Sequence, residues 1–458
     1  MSKLLGFSAF VMNTASHILH GLWRHPSGRQ IDFNDIDVWV DLAQKLEAGG
    51  FDNLFFADVV GLYHPFNGGT DFHFEKGFQV PSNDPSALIS ALAVKTKHIG
   101  LAFTAAPVQE PPFNFARRVS TLDHISKGRV GWNIVTGYLE NGFKNFGYDK
   151  IVSHDERYDW ADEYLEVLYK LWEGSWEDDA LLKDVQTGVY ANPKKVHKIN
   201  HEGPRYKVEG PHLVSPSPQR TPVLFQAGSS DRGKEFAAKH AEATFITAPT
   251  PELAKQAIAE TRQLAMESGR NPGDLKFYQG LSFVVGATEE EAYRKAAELD
   301  RYLDLEVIVA HFAGSVGIDL GGLPLDTPLE DIHTEGVQSA FEWVKKSTGN
   351  RQPTIRDLAE LRHTSSRIVG TPVQIADELE KWSEAGVDGI NVVNFLIPNT
   401  YEEFIEHVIP VLRERGLARP QQQQAQTFRD KLYGQDRLNE RHPAAQYRGA
   451  FEVKEEVY

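Results

Sequence analysis

Gln226-Ala227-Gly228-Ser229-Ser230-Asp231-Arg232-Gly233 brings glycine, two hydroxyls and an arginine to the point where an apolar run meets a segment of helical composition. Backbone N–H groups at a helix N-terminus attract an anion, Gly228 permits close approach, and Ser229 and Ser230 add donors, so the segment can cradle a phosphate. It is equally an ordinary capping sequence, and both roles stay open on these residues. His154-Asp155-Glu156-Arg157-Tyr158 opens a second helix, from which the Tyr158 hydroxyl would reach the same anion.

Asp58 follows Leu54-Phe55-Phe56-Ala57 and precedes Val59-Val60-Gly61, so a carboxylate is held among apolar neighbours, where an unpaired charge is costly. Ser16 to His25 contains His17, His20 and His25. These fit either hydrogen-bonded loop histidines or part of the metal site of a barrel hydrolase, although no His-rich strand end completes a ligand set. His311 lies between Ala310 and Phe312 early in a long insertion, next to glycines suited to a hinge, where a histidine with pKa near 6.5 would donate a proton. No P-loop and no G-x-G-x-x-G fingerprint follows any strand, which argues against the usual ATP and dinucleotide cradles.

With 48 Lys and Arg against 64 Asp and Glu, the 458-residue chain has net charge −16, unsuited to nucleic acid or to anionic membranes. It has no cysteine, which removes disulfides, thiolate metal sites and cysteine nucleophiles. No apolar run reaches the roughly 18 residues of a membrane span. The apolar start, Leu4 to Met12, has no cleavage site after it and is read as a first strand, with a cytoplasmic location expected.

The elements that must position these groups recur as one βα unit. Strands are expected at Leu4–Phe10, Asn53–Ala57, Gly100–Thr104, Val130–Val135, Val223–Gln226, Ala243–Ile246, Phe277–Val285 and Ile390–Phe395. Ile36, Trp39, Val40, Ala43 and Leu46 keep helical spacing, with Asn34 as expected N-cap, and other helices begin near Asp84, Asn114, Asp231, Pro251, Pro372 and Tyr401. Eight such units predict a TIM (β/α)8 barrel, with a doubly wound open sheet as the other candidate. A barrel needs about 250 residues, so one domain over 1–420 carries insertions near 60–83, 175–221 and 300–370. Gln421 to Gln424 opens a tail, 421–458, expected to lie on the surface or on a partner subunit. The residues presented at strand ends are then Asp58, Thr104, Asn133, Thr136, Gly228, Ser229, Ser230, Gln279 and Asn394.

His20-Gly21-Leu22-Trp23-Arg24-His25-Pro26, Phe56-Ala57-Asp58-Val59-Val60-Gly61, Ser120-Thr121-Leu122-Asp123-His124, Trp132-Asn133-Ile134-Val135-Thr136, His154-Asp155-Glu156-Arg157-Tyr158, Lys170-Leu171-Trp172-Glu173 and Pro222 to Ser229 together carry a resemblance over nearly the whole chain. The chain resembles the bacterial-luciferase-like, flavin-dependent two-component monooxygenases, closest to the branch with long-chain alkane and dimethylsulfide monooxygenases. The resemblance implies a TIM barrel that takes reduced FMN from a separate NAD(P)H:flavin reductase, activates O2 through a flavin C4a-peroxide, and forms a homodimer or homotetramer. It places Asp58, Thr104 and Thr136, with Asn133 beside them, along the isoalloxazine and ribityl, and Tyr158, Gly228, Ser229, Ser230 and His154 at the phosphate. It gives His17, Tyr63, Gln79 and His311 active-site roles. Where the alkane-oxidising branch has cysteine and histidine, this chain has Thr14 and Tyr138, both expected near the substrate.

A dry pocket is needed, and Phe10, Phe55, Phe56, Tyr63, Tyr138 and Phe245 are the candidate walls. The expected substrate is a long-chain alkane or small organosulfur compound, with an aromatic sulfone as the alternative. From another class, a metal-dependent barrel hydrolase using His17, His20 and His25 remains open.

Overall fold

The computed structural model describes residues 3–332, 341, 343–345, 352–420 and 427–452. Eight short runs of β-branched and aromatic residues form parallel strands, numbered here in chain order: β1 (Gly6–Met12), β2 (Asn53–Ala57), β3 (Gly100–Ala105), β4 (Val130–Ile134), β5 (Val223–Gln226), β6 (Ala243–Ile246), β7 (Lys276–Val285) and β8 (Gly389–Val393). Each pairs with its neighbour in sequence, β8 pairs with β1, and the ring closes into a barrel wrapped by helices. The open-sheet alternative is thereby excluded. No described helix is long and apolar enough to cross a membrane.

Strand alternation splits the core in two. Phe7, Ala9, Val11, Leu54, Phe56, Leu101, Phe103 and Trp132 pack outward under the helices, while Phe10, Phe55, Ala102, Phe225, Tyr278 and Val393 fill the lumen. Boundaries of β1, β3, β4, β7 and β8 shift by one or two residues from their expected positions. β1 starts at Gly6 because Leu5 is already engaged by Leu417 of the C-terminal segment, and β8 ends at Val393 because the Phe395 and Leu396 N–H groups turn to donate to Thr400 Oγ1. The first long helix, Ile36–Gly49, is capped by Asp35, whose carboxylate accepts from Asp37 N–H, and not by Asn34, whose side chain accepts from Asn83 at 2.8 Å.

The insertion after β2 and the one after β7 meet above the barrel's C-terminal end. Tyr63, Phe66, Phe72 and Phe78 of the first pack against Val307, Ile308, Phe312 and Ala313 of helix Leu305–Val316 in the second. Residues 175–221 instead form two small hairpins and feed into β5 from its N-terminal side. Gln421 to Gln424 lie outside the described residues.

The tail beyond them goes further than a surface arm. Phe428 enters the N-terminal end of the lumen and stacks on Phe225 at 6.0 Å, and a Cβ on Gly100 would lie 2.6 Å from its ring, so only glycine leaves room there. Fully buried Arg429 pairs with Glu242 at 2.7 Å and donates to the carbonyls of Thr221 and Pro222. Arg429→Met strands the Glu242 carboxylate in the core and should cost about 3–5 kcal/mol in urea unfolding, with most of it restored by adding Glu242→Leu.

Candidate active site

The lumen is closed from below by an aromatic column. Phe428, Phe225, Phe55, Phe10 and Phe245 follow one another with ring centroids 5.0 to 6.0 Å apart. Chemistry is therefore left to the C-terminal mouth, where two cavities open side by side.

The first, about 310 Å3, sits over β2 to β5 and is lined by Asp58, Thr104, Thr136, Tyr138, His154, Arg157, Tyr158, Gln226 and Gly228. One end is built for an anion. Ser230 caps helix Asp231–His240 by accepting from Gly233 N–H, its hydroxyl lies 3.2 Å from His154 Nε2, and the Tyr158 hydroxyl points at the Cα positions of Gly228 and Gly233. A Cβ on Gly228 would lie 2.7 Å from that hydroxyl. Arg157 reaches the cavity, where among the described residues it has only a carbonyl partner, Val152, and no acceptor for its buried Nε; buried Gln226 Oε1 likewise has no partner among them. Arg232 faces away, paired with Asp159 and Asp162. At the other end Thr104 donates to the Phe56 carbonyl and receives Asn133 Nδ2 at 3.0 Å. Burial, with the Asp84 charge adding, pushes the Asp58 carboxyl up to about 7.

At the wall shared with the second cavity lies a chain of polar groups. Ser16 Oγ is 2.7 Å from His20 Nδ1, His20 Nε2 is 3.0 Å from His311 Nδ1, and His311 Nε2 is 3.2 Å from the Tyr63 hydroxyl. Tyr63 reaches Gln79 Oε1 at 3.2 Å and the Tyr138 hydroxyl at 2.5 Å. Gln79 gives its amide N–H to the His17 carbonyl, which leaves its oxygen to accept from Tyr63 O–H. Tyr63 oxygen then accepts from His311 Nε2–H, His311 Nδ1 from His20 Nε2–H, and His20 Nδ1 from Ser16, which assigns both rings as neutral Nε2–H tautomers. Burial supports that assignment: it takes His311 down to about 3, with Arg362 and His17 adding to the fall, and depresses His20 strongly. Tyr63 is held well above its ordinary value by the same desolvation.

The luciferase-like monooxygenase family matches residues 12–389 of this chain. The chain belongs to that family. It is similar to the long-chain alkane monooxygenase of Geobacillus thermodenitrificans, 44% identical over 98% of this chain and 99% of that protein. The dimethyl-sulfide monooxygenase of Hyphomicrobium sulfonivorans is 43% identical over 100% of this chain and 96% of that one. A crystal structure of long-chain alkane monooxygenase superposes with a TM-score of 0.90 over 98% of this chain and 100% of that one, at 45% identity. As a member of this flavin-dependent monooxygenase family the protein is an enzyme, with the TIM-type barrel its relatives share.

Against that family frame the expected site residues divide. His311, Tyr63, Gln79 and Tyr138 come together as one hydrogen-bonded group; His17 adjoins it through its carbonyl, with its ring on Phe10 at 4.9 Å. Asp58, Thr104, Thr136, His154, Tyr158 and Gly228 share the first cavity, Asn133 stands behind Thr104, and Ser229 is exposed at the rim beside the capping Ser230. Phe10 and Phe245 face the lumen. Phe56 does not: strand alternation turns it outward onto Trp39 at 5.2 Å, and Phe55 takes the inner position. Thr14 spends its hydroxyl on the Pro81 carbonyl at 2.8 Å and lines neither large cavity, but shares a small pocket with His17, Ile18 and Leu19. Neither His17 nor His311 titrates near 6.5, because burial keeps both neutral down to about 3.

His20, Ser16, Arg157 and Gln226 are site residues that the sequence did not single out for these roles, although all four lie inside quoted segments. His17, His20 and His25 do not form a metal site: His25 turns to Tyr302 and Ser27, and among the described residues no three His, Cys, Asp or Glu side chains converge to hold a metal.

Asp58 supplies a pH test. With its folded pKa near 7 and an unfolded value of about 3.9, the native state keeps a proton that the unfolded chain has lost, so stability falls as pH rises between these values. In flavin-free protein, Asp58→Asn should flatten that fall in urea midpoints measured from pH 5 to 8.

Proposed function

We propose that this chain is the oxygenase of a two-component system, taking FMNH2 from a separate NAD(P)H:flavin reductase and placing one atom of O2 in a small substrate with an apolar body, the other leaving as water. The relatives' names suggest a long-chain alkane or small organosulfur compound as substrate. What supports this above all is the first cavity, where Arg157, Tyr158, Ser230 and a helix N-terminus surround glycines that leave room for a phosphate, with a slot above Thr104 for a ring system. The unpaired polar atoms of Arg157 and Gln226 fit a bound group there. Reduced flavin, when bound, supplies the electrons that activate O2.

The chain's own residues do the rest. Phe10, Phe55 and Phe245 keep water from below, and the insertion helices cover the mouth. Tyr63 and His311 each hold one proton throughout the working pH range and stay neutral, Tyr63 donating to Gln79 and His311 to the Tyr63 oxygen, which fixes both side chains at the mouth. Gln79 and His20 orient them from either side. Asp58, poised near neutrality among apolar neighbours, lies in the ring-end half of the cavity.

Anaerobic titration with FMNH2, followed by aerobic turnover with reductase, NADH and a panel of alkanes, sulfides and aromatic sulfones, tests the function through oxygenated product. Gly228→Val, whose side chain enters the space before Tyr158, should weaken FMN binding by about tenfold or more, about 1.4 kcal/mol. His311→Ala should bind FMN as the parent does yet release H2O2 in place of product; unchanged coupling would remove His311 from the reaction.

A further inference from the structure

The second cavity, about 480 Å3, lies over β6 to β8 and beneath the insertion helices, with His311 in the wall it shares with the polar chain. Its inner part is apolar, formed by Leu19, Phe245, Ile308 and Val393. Its outer part is not. Arg362, Ser365 and Ser366 line it at the end of helix Ile355–Thr364, and Ser282 Oγ, in a residue only 1% exposed, faces it from β7 with no hydrogen-bond partner among the described residues.

Arg362 differs from the chain's buried arginines. Arg129 and Arg270 spend their N–H groups on backbone carbonyls and Arg220 and Arg429 add the carboxylates of Asp178 and Glu242, whereas Arg362, exposed where it lines the cavity, has neither among the described residues; its guanidinium lies over the Phe312 ring, at 5.3 Å. The carboxylate at hand, Asp300, is occupied by Arg367 at 2.5 Å and by His363 at 3.6 Å. Water reaches Arg362 through the cavity, yet the surrounding protein desolvates it enough to lower its pKa. A planar cation so placed offers a fork of N–H donors to an oxyanion, and the unpaired Ser282 hydroxyl adds another.

We propose that the substrate is amphipathic: an alkyl or thioalkyl body lies along Phe245 and Ile308 past His311, and a single anionic group at its far end, carboxylate or sulfonate, is held by Arg362. This narrows the substrate of the oxygenase proposed above from any alkane or sulfide to one with an anionic end, and depends on that function for the reaction, but the binding site stands without flavin. An uncharged alkane or dimethyl sulfide would then be a poor fit, because it leaves Arg362 unanswered.

The test is calorimetric titration of the purified full chain, with and without FMN, using decanoate, decane-1-sulfonate and 1-decanol as probes. Decanoate or the sulfonate should bind about tenfold tighter than decanol, and the stronger of the two identifies the oxyacid. Arg362→Met should erase the preference while FMN affinity stays within about twofold, and Arg362→Lys should fall between the two. Equal affinity for acid and alcohol in the parent, or a preference that survives Arg362→Met, overturns the proposal. If FMN fails to bind while the Arg362-dependent preference persists, the anion site is upheld and the flavin function alone is lost.

Discussion

Closing eight parallel strands on themselves leaves a lumen that must be filled without water, and this requirement governs the rest of the molecule. Half of every strand faces inward, so the chain has to supply large apolar groups at alternate positions of strands far apart in sequence. It does so with Phe10, Phe55, Phe225 and Phe245, and finishes the column from outside the repeat with Phe428, a tail residue. Burying a side chain of this size contributes on the order of 1.5–3 kcal/mol. Because the N-terminal end is plugged, a ligand can be met only where the strands stop.

The same dryness sets the protonation of the site. Serine, histidine and tyrosine side chains at the mouth are too enclosed to carry charge cheaply, so Ser16, His20, His311 and Tyr63 are joined as neutral donors and acceptors in one line. Removing one member leaves its buried partner to bear the full desolvation cost, although the members come from the segment after β1, the insertion after β2 and the insertion after β7. Asp58 answers the same environment by rising toward neutrality, and Arg362, which cannot give up its proton, keeps its charge at the wetter edge of the neighbouring cavity.

Much of this was legible one segment at a time. The eight apolar runs, the helix starts at Asp231, Pro251 and Pro372, and the glycine-serine turn after β5 are local features whose spacing alone announces strand, cap and close approach. Phe56 was misplaced because periodicity shows that alternate residues share a face but not which face is the lumen; Trp39 decides that from another helix. The partner of Thr14, the Pro81 carbonyl, was not legible because it lies in the insertion after β2.

The amino-acid sequence by itself determined the repeated βα units, the kinds of group set at strand ends and the family resemblance, since each depends on neighbours a few residues apart. Only the tertiary structure decided that His20 joins His311, that Arg157 and Arg362 line cavities with no carboxylate partner among the described residues, that His17, His20 and His311 stay neutral, and that the tail seals the barrel. Those outcomes depend on burial and on contacts between positions up to hundreds of residues apart, and both come into being only when the ring of strands closes.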